Sequence, residues 1–320
     1  MRLLIVIVNY RTASLVIDCL RSLAPEVAAV PGTRVVVTDN QSPDDSVARL
    51  RAAVAANGWS DWCEIRPLER NGGFAYGNNG GIKPALESGD PPQYVLLLNP
   101  DTVVHAGALK SLVDFMDGRP DVGIAGSRLE HPDGKPQRSA FRFPTALSEF
   151  ENALRLGLVT KLLSRYVVAR PVPGEACETD WVSGASFLVR REVFRDVGLL
   201  DDGYFMYFEE TDFCLAARRK GWKVWHVPAS RVVHLIGQAS GFNDGRKPTK
   251  PTPKYWFDSR RRYFVKNHGR VYAMLADGLW TVGFFLWRVR RRLQRKPDQD
   301  PPRFMFDFLR YSTLAQAFRL

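Results

Sequence analysis

YVLLLNPDT, residues 94–102, decides the fold, because its apolar run ends abruptly at Asn99, Pro100 and Asp101. Four to eight consecutive apolar residues closed by a proline predict a strand buried on both faces. Pro100 cannot extend a central hydrogen-bond ladder, and burial of Asp101 without a partner is costly. We therefore expect both residues in a cleft at the carboxyl end of the strand, where α/β sheets bind ligands. The same three residue types are also ordinary turn residues.

The first hundred residues repeat this pattern of an apolar strand followed by polar residues. The two earlier examples are residues 3–8, followed by Asn9, Tyr10 and Arg11, and residues 34–38, followed by Asp39, Asn40, Gln41 and Ser42. Residues 13–30 and 44–57 have helical patterns, and Ser42 with Pro43 is expected to cap and begin the second helix. Alternating strands and helices predict an α/β fold with a doubly wound, mostly parallel sheet. The three polar clusters are then expected to share one edge of the sheet.

The composition is that of a folded, enzyme-sized chain. Its 320 residues are 45% hydrophobic and 12% aromatic, which is enough for a large core. The four cysteines form no CxxC pair and no zinc-finger spacing, so we expect a reducing, cytoplasmic location. The N-terminal MRLLIVIVNYR ends in Asn, Tyr and Arg rather than at a small-residue cleavage site, so it is expected to be the first strand and not a signal peptide.

The net charge of +11 is concentrated in the last quarter of the chain. Residues 246–320 contain 18 Lys and Arg against five Asp, so residues 1–245 carry a net charge of −2. Residues 271–287 have one charged side chain, Asp277, and are followed at once by RVRRRLQRK. We predict a globular domain at 1–242 and a basic, partly apolar helical region at 243–320.

The apolar part of this tail allows four interpretations. Its length is at the lower limit for a membrane span, for which about 20 residues are needed. Its tryptophans and the adjoining arginines also suit a helix in the interface of an anionic membrane. It can instead pack on the main domain, or its basic run can contact nucleic acid, although no nucleic-acid motif accompanies it. We favour peripheral association with an anionic surface, at the inner face of a bacterial cell membrane.

A glycine-rich segment, NGGFAYGNNGG at residues 71–81, follows a predicted strand at 63–68. Glycines allow the backbone to approach a ligand closely, and Asn78 is expected to cap the helix that follows. The segment lacks the Gly-Lys-Ser/Thr ending of a phosphate loop, and it is not a GxGxxG turn after the first strand. It therefore gives neither an ATPase nor a dehydrogenase signature.

Three acids, Glu209, Glu210 and Asp212, begin a predicted helix that ends at Gly221. Acids in a first helical turn are favoured by the helix dipole, so capping with a solvated face is the simplest interpretation. The aromatic run at 204–208, however, is expected to place at least one carboxylate beside an apolar wall. Desolvation would raise its pKa and suit it to act as a general base.

His234 follows two β-branched residues after a predicted strand at 222–228. A single histidine is more often structural than a ligand. Across a cleft from Asp101, however, it would complete an oxygen and nitrogen site for Mg²⁺ or Mn²⁺.

These motifs, taken in order, resemble family 2 glycosyltransferases and, within them, the bacterial rhamnosyltransferase-like branch. The resemblance covers residues 1 to about 242. The motifs that carry it are VNY (8–10), DNQS (39–42), NGGFAYGNN (71–79), LLLNPDT (96–102), WVSGASFLVRR (181–191), FEETDF (208–213) and HLIGQAS (234–240).

The resemblance implies a GT-A fold and inverting transfer of a sugar from a nucleoside diphosphate donor. It implies that Asp101 and His234 bind Mg²⁺ or Mn²⁺, with Asn99 in place of the first acid of the family's Asp-x-Asp motif. The nucleotide-sugar-binding residues that it implies are Asn9, Tyr10, Arg11, Thr12, Asp39, Asn40, Asn71, Gly73, Asn78, Asn99 and Asp101.

The family's catalytic base falls on the pair Glu209 and Glu210, of which we favour Glu210, with Asp212 as a supporting group. The sugar and acceptor pocket is expected at Trp181, Ser183 and Gly184, since an aromatic face stacks on a sugar ring and small residues leave room. Core packing explains Trp181 equally well.

The leading expectation is a transferase that moves rhamnose from dTDP-rhamnose to a lipid-linked saccharide or a growing surface glycan. A catalytically silent nucleotide-sugar-binding scaffold at the membrane is the alternative, and Asn99 is its best support. A nucleotidyltransferase shares the predicted sheet, but it would need a lysine-bearing glycine-rich loop after the first strand.

Overall fold

The computed structural model describes residues 1–235 and 248–317, in which strands and helices alternate over the first hundred residues. The strands are β1 Leu3–Asn9, β2 Thr33–Asp39, β3 Cys63–Pro67, β4 Tyr94–Leu98, β5 Thr102–Val104, β6 Val122–Glu130, β7 Ala140–Phe141, β8 Cys177–Thr179, β9 Trp181–Val182, β10 Ser186–Arg190 and β11 Lys223–His234. The helices are α1 Ala13–Ala29, α2 Ser46–Ala56, α3 Gly73–Leu86, α4 Ala108–Asp117, α5 Ala146–Leu154, α6 Gly157–Leu162, α7 Arg191–Val197, α8 Glu209–Arg219, α9 Lys254–Leu293, α10 Phe304–Tyr311 and α11 Thr313–Ala317.

The main sheet has the strand order β3-β2-β1-β4-β10-β6-β11-β5, and β8 pairs with β11. Strands β1 to β4 run parallel, and β10 lies antiparallel between β4 and β6. Because β2 and β4 flank β1 on opposite sides, a crevice is expected at their carboxyl ends. The predicted mostly parallel, doubly wound sheet is confirmed.

The strand predicted from YVLLL lies in the middle of this sheet. Every side chain of β4 is at most 1% exposed, and the strand pairs with β1 on one side and β10 on the other. An apolar run without polar alternation is what burial on both faces requires.

The predicted start of α2 is wrong. The helix begins at Ser46, with Asp45 at its N-cap position, and Ser42 does not cap it. Instead the Ser42 hydroxyl donates a hydrogen bond to Asp39 Oδ1 at 2.7 Å, because this loop folds back on the end of β2.

The predicted capping role of Asn78 is also wrong. Helix α3 begins at Gly73, whose N–H donates to Asn71 Oδ1 at 3.2 Å. Asn78 therefore lies inside the helix, where its amide donates to the Phe74 carbonyl oxygen at 2.9 Å.

The glycines of α3 allow close packing against β1. A Cβ atom at Gly77 would lie 2.6 Å from a Val8 methyl carbon, and one at Gly81 would lie 2.8 Å from a Val6 methyl carbon. These distances are too short for any side chain, so the glycine-rich sequence is explained in part by packing.

The strand predicted at 222–228 continues to His234. The β-ladder between β11 and β6 is interrupted between Val227 and Arg231, where Pro228 provides no backbone N–H. His234 pairs with Thr102 of β5, so the second half of β11 leads to the Asn99–Asp101 turn.

The chain divides into two units. The first comprises the described parts of Met1–Phe141, Pro171–Phe205 and Glu209–Asp244, and the second those of Arg142–Arg170, Met206–Phe208 and Gly245–Leu320. The predicted boundary near residue 242 lies outside the described residues.

The second unit is helical and has a core of its own. This core is formed by Ala153, Phe257, Trp280, Phe284 and Phe308.

A buried ionic cluster lies in the same unit. Arg260, which is 3% exposed, binds both Glu149 and Asp277. Two carboxylates around one guanidinium satisfy charges that would otherwise be costly to bury.

Helix α9 is broken at Gly269, whose φ of 84° and ψ of 165° are not helical. We call residues 270–293 the distal half of α9. Among residues 1–235 and 248–317, no helix is both long and apolar enough to cross a membrane.

Candidate functional site

Asn9 and Asp39 end neighbouring parallel strands and lie side by side in register. The Asn9 amide donates to Asp39 Oδ1 at 2.6 Å, and the Ser42 N–H donates to Asp39 Oδ2 at 2.8 Å. On its other side, Asn9 Oδ1 accepts hydrogen bonds from the N–H and the hydroxyl of Thr12. The network fixes the loops after β1 and β2 at the edge where the sequence predicted them.

The tips of these two loops are exposed. Tyr10 is 40% exposed, and Arg11 is also exposed. Arg11 and Gln41 have left-handed φ values of 60° and 55°, a conformation that non-glycine residues adopt infrequently and that is found at functional sites. Tyr10, Arg11 and Gln41 are exposed at the tips of these loops, and their contact with a nucleotide stays a prediction.

The predicted nucleotide-binding residues Asn40, Asn71, Gly73 and Asn78 are less exposed than Tyr10 and Arg11. Asn71 is partly exposed, whereas Asn40, Gly73 and Asn78 are buried. Asn40 donates to the Gly73 carbonyl oxygen at 2.9 Å. Gly73 has a left-handed φ of 85°, and a Cβ atom there would also collide with the Phe205 carbonyl oxygen, so the position requires glycine. The structure thus places Asn40, Gly73 and Asn78 under the loops, and their contact with a nucleotide stays a prediction.

Asp101, Asn99 and His234 meet at the end of β4. His234 Nε2 lies 3.4 Å from Asp101 Oδ1 and 3.3 Å from Asn99 Nδ2. That Asp101 and Pro100 line a cleft stays a prediction, but both are buried, and Asp101 is only 2% exposed. The reason is that the chain continues directly into β5, which pairs with β11 and places His234 beside Asp101.

The Asp101 carboxylate oxygen Oδ1 is buried and only weakly satisfied. Within the described part of the chain it accepts no hydrogen bond of normal geometry, and His234 Nε2 approaches it to 3.4 Å. A buried carboxylate oxygen with so weak a contact can accept a further partner such as a cation.

The residues around this oxygen fit a divalent cation in part. Carboxylate oxygen and imidazole nitrogen are both ligands for Mn²⁺, and carboxylate oxygen suits Mg²⁺. Residues 1–235 and 248–317 contain no group of three His, Cys, Asp or Glu side chains able to hold a metal. Asp101 and His234 would therefore supply two ligands, and the remaining positions would fall to the substrate and water. The motif segment 236–240 lies outside the described residues.

Glu209, which is buried, and Glu210, which is half-buried, place two neighbouring carboxylates at the start of α8. Burial raises the pKa of Glu209 well above its ordinary value, and the neighbouring charge of Glu210 raises it further. Burial also raises the pKa of Glu210, and backbone N–H groups, including those of Gly184 and Thr211, partly offset this effect. One oxygen of each carboxylate, Oε2, has no hydrogen-bond partner among the described residues.

Residues 184–185 connect the two halves of the site. The Asn99 N–H donates to the Ala185 carbonyl oxygen at 3.1 Å, and the preceding residue, Gly184, offers its N–H to the Glu210 carboxylate. A Cβ atom at Gly184 would lie 3.7 Å from Glu210 Oε1 and 3.4 Å from the Phe74 ring. The turn before β10 therefore holds the end of β4 and the start of α8 against each other.

The remaining predicted residues lie around this turn. The Ser183 N–H donates to the Ser139 carbonyl oxygen at 3.1 Å. Trp181 is partly exposed and stacks on Phe141, with 4.1 Å between ring centroids. Asp212 is buried one turn after Glu209. Their roles in substrate binding and in support of the base stay predictions.

Two features of this region could not be predicted from the sequence. Buried Gln137 donates to the His234 carbonyl oxygen at 2.7 Å and so fixes the position of this histidine. Tyr207 and Phe208, directly before Glu209, both have a φ of 70°. Consecutive left-handed aromatic residues contradict local propensity, and only the tertiary structure can impose them.

The sheet with its antiparallel β10, the loops at the ends of β1 and β2, and the Asn99–Asp101 turn define a GT-A fold, the class of many sugar-nucleotide-dependent glycosyltransferases. A family model described as "Glycosyltransferase like family 2" matches residues 2–264, and the chain belongs to this family. The resemblance found in the motifs is thereby confirmed.

Two curated proteins illustrate the relationship. The chain is 29% identical over 217 residues to N-acetylglucosaminyl-diphospho-decaprenol L-rhamnosyltransferase of Mycobacterium tuberculosis, covering 65% of this chain and 64% of that protein. It is 29% identical over 167 residues to rhamnosyltransferase WbbL of Escherichia coli K12, covering 51% and 60%. The matched part thus spans less than two thirds of either relative.

A solved structure supports the fold. GalNAc-T7 with UDP, GalNAc and Mn²⁺ superposes with a TM-score of 0.58 at 15% identity, covering 97% of this chain and 56% of that one.

Proposed function

We propose that the chain is an inverting glycosyltransferase that uses a nucleoside diphosphate sugar. The observation that carries the proposal is the turn at 184–185, which joins the Asn99–Asp101 segment to the Glu210 carboxylate. This arrangement puts a candidate cation site and a candidate base in one site. The family membership supports the same activity.

We propose dTDP-rhamnose as the donor and a lipid-linked saccharide or growing surface glycan as the acceptor. Two relatives are named rhamnosyltransferases, and the name of the mycobacterial one specifies a diphospho-decaprenol acceptor. The loops after β1 and β2, with Tyr10 and Arg11 exposed, are the proposed place for the nucleotide.

Asp101 and His234 are the residues that would hold Mg²⁺ or Mn²⁺. A bound divalent ion would stabilise the negative charge that develops on the diphosphate oxygens of the leaving group. Asn99, beside His234, supplies a neutral amide where a second acid would otherwise add charge. The amide leaves Asp101 as the only carboxylate in this turn.

Glu210 is the proposed base. Its raised pKa makes it a better proton acceptor than an ordinary carboxylate, and its Oε2 accepts no hydrogen bond from the described residues. As the acceptor hydroxyl oxygen bonds to the anomeric carbon, its proton passes to Glu210. The bond from that carbon to the diphosphate oxygen breaks on the opposite face, and its electron pair leaves with the nucleoside diphosphate. A single displacement of this kind inverts the anomeric configuration.

The test is incubation of the full chain with dTDP-rhamnose, Mg²⁺ or Mn²⁺, and a short polyprenyl-diphosphate-linked N-acetylglucosamine. We expect equal amounts of dTDP and glycosylated lipid, with an anomeric configuration opposite to that of the donor by NMR. Release of pyrophosphate would indicate a nucleotidyltransferase instead. Nucleotide binding without turnover of any tested sugar nucleotide would favour the silent scaffold, for which Asn99 is the structural argument.

A further inference from the structure

The distal half of α9 presents a second apolar face, opposite to the one that packs in the second unit. Its inward side chains include Ala273, Ala276, Trp280 and Phe284, which are buried. The outward side chains, which are 40% to 80% exposed, are Val271, Leu275, Val282, Phe285, Leu286, Val289 and Leu293.

These outward residues recur at intervals of one, three, four and seven, so they form one stripe. With 3.6 residues per turn the stripe occupies an arc of about 100° along a helix of about 36 Å. A surface helix normally presents polar side chains on its outer face, and a long exposed apolar stripe marks an interaction surface.

The exposed charges that border this stripe are positive, and the first acid after the helix, Asp298, is half-buried and forms ion pairs with Arg288 and Arg291. The only acid of the distal half is Asp277, which is buried and bonded to Arg260. At the C-terminal end the stripe is bordered by exposed Arg292, Arg295 and Lys296.

Helix α6, in the same unit, also exposes apolar side chains beside a positive charge. Arg290 binds the carbonyl oxygens of Leu154 and Arg155, just before α6. On α6, Leu158 and Leu162 are 77% and 81% exposed, and Lys161 lies between them.

We propose that this face, the outward side of residues 270–293, binds the surface of an anionic lipid bilayer with the helix lying parallel to it. The apolar side chains would enter the boundary between headgroups and acyl chains, and the arginines would meet lipid phosphates. A second copy of the chain fits less well, because a two-fold interface through this face would bring arginines close to arginines with no exposed acid of the helix between them.

The test is co-sedimentation of the full chain with vesicles of phosphatidylcholine alone or mixed with phosphatidylglycerol. Phe285→Asp should lower binding to the anionic vesicles by about tenfold or more. The matched control, Ala52→Asp, adds the same charge at an exposed position of α2 and should leave binding unchanged.

A second pair of variants tests how much the positive charges, as distinct from the apolar side chains, contribute to vesicle binding. Arg292→Glu should lower binding to anionic vesicles by about fivefold or more. The control, Arg51→Glu, makes the same change of charge at an exposed position of α2 and should have a much smaller effect. Added salt should weaken the binding of the unmodified chain.

Equal vesicle binding by the unmodified chain and Phe285→Asp would overturn the proposal. So would a dimer, detected by analytical ultracentrifugation, that Phe285→Asp dissociates while no form binds vesicles. Circular dichroism checks folding, and Val282→Ser serves as a milder variant if Phe285→Asp unfolds. Membrane binding by this face is independent of the proposed transfer reaction. Because the vesicle assay contains no sugar nucleotide, the membrane proposal and the transferase proposal can each fail without the other.

Discussion

At Glu210, burial and backbone hydrogen bonds act on the pKa in opposite directions. Burial is the larger effect, so the pKa is raised, while N–H groups such as that of Gly184 keep the ionised form accessible. A base in these surroundings is held in a fixed direction and accepts a proton readily.

Glu210→Gln tests this role directly. The amide keeps the shape of the side chain but cannot accept the proton, so we expect transfer to fall by at least about a hundredfold. Nucleotide affinity, measured by calorimetry, should be unchanged. Exposed Glu87→Gln is the control, and turnover retained by the Glu210 variant would reject this residue as the base.

Glu209 makes a prediction about stability and pH. Its folded-state pKa is raised above 4.5, so the folded protein holds a proton that the unfolded chain releases between pH 4.5 and the raised value. Stability is therefore lost as the pH rises through this window. The Glu209→Gln variant lacks this titrating group. The melting temperature of the variant minus that of the unmodified chain should therefore become larger as the pH rises from 5 to 8. Melting curves that stay a constant distance apart across this range would contradict the raised pKa.

From the sequence it was possible to say which residues are candidates for the site, but not how deeply each one is buried. The motifs marked Asp101, His234 and Glu210 as candidates because each lies at the end of an apolar or aromatic run, and their roles stay predictions. The motifs did not show that Asp101 is buried, since that depends on the pairing of β5 with β11 from a distant part of the chain.

At the scale of elements, glycine decides how closely helices approach in the second unit. A Cβ atom at Gly283 would lie 2.8 Å from the Phe150 carbonyl oxygen and 3.2 Å from Ala153 Cβ, on α5. At Gly278, five residues earlier on the same helix, a Cβ atom would have no neighbour within 4 Å.

The two alanine substitutions should therefore have opposite effects. Gly283→Ala should lower the free energy of unfolding by about 1–3 kcal/mol, because the added methyl overlaps α5. Gly278→Ala should raise it by about 0.5–1 kcal/mol, because alanine favours the helix. Urea unfolding measures both, and a shift of the same sign in the two variants would contradict the packing described here.

Element types were predictable from the sequence, but some boundaries were not. The runs that became β1 and β4 are almost entirely apolar, and β2 has an apolar centre at residues 35–37, a pattern that fits few elements other than a buried strand. The start of α2 was wrong because Ser42 serves equally well as a helix cap or as a hydrogen-bond donor to Asp39, and only the folded loop selects the second.

At the scale of the molecule, charge and apolar pattern separate the chain into parts with different chemistry. The first 245 residues are nearly neutral, and the basic remainder belongs to the second unit. The contribution of residues 142–170 to that unit was not predictable, because it depends on contacts such as Glu149 with Arg260, more than a hundred residues apart in sequence.

The measurement that tests the central claim most directly is thermal unfolding with UDP, dTDP, GDP or CDP, each with and without Mg²⁺ or Mn²⁺, for the unmodified chain and Asp101→Asn. A ligand that binds only the folded state raises its melting temperature. We predict an increase with dTDP that requires the metal and is lost in Asp101→Asn, each increase being measured against the same protein without ligand. No increase with any nucleotide, or an equal increase in both proteins without metal, would contradict the account.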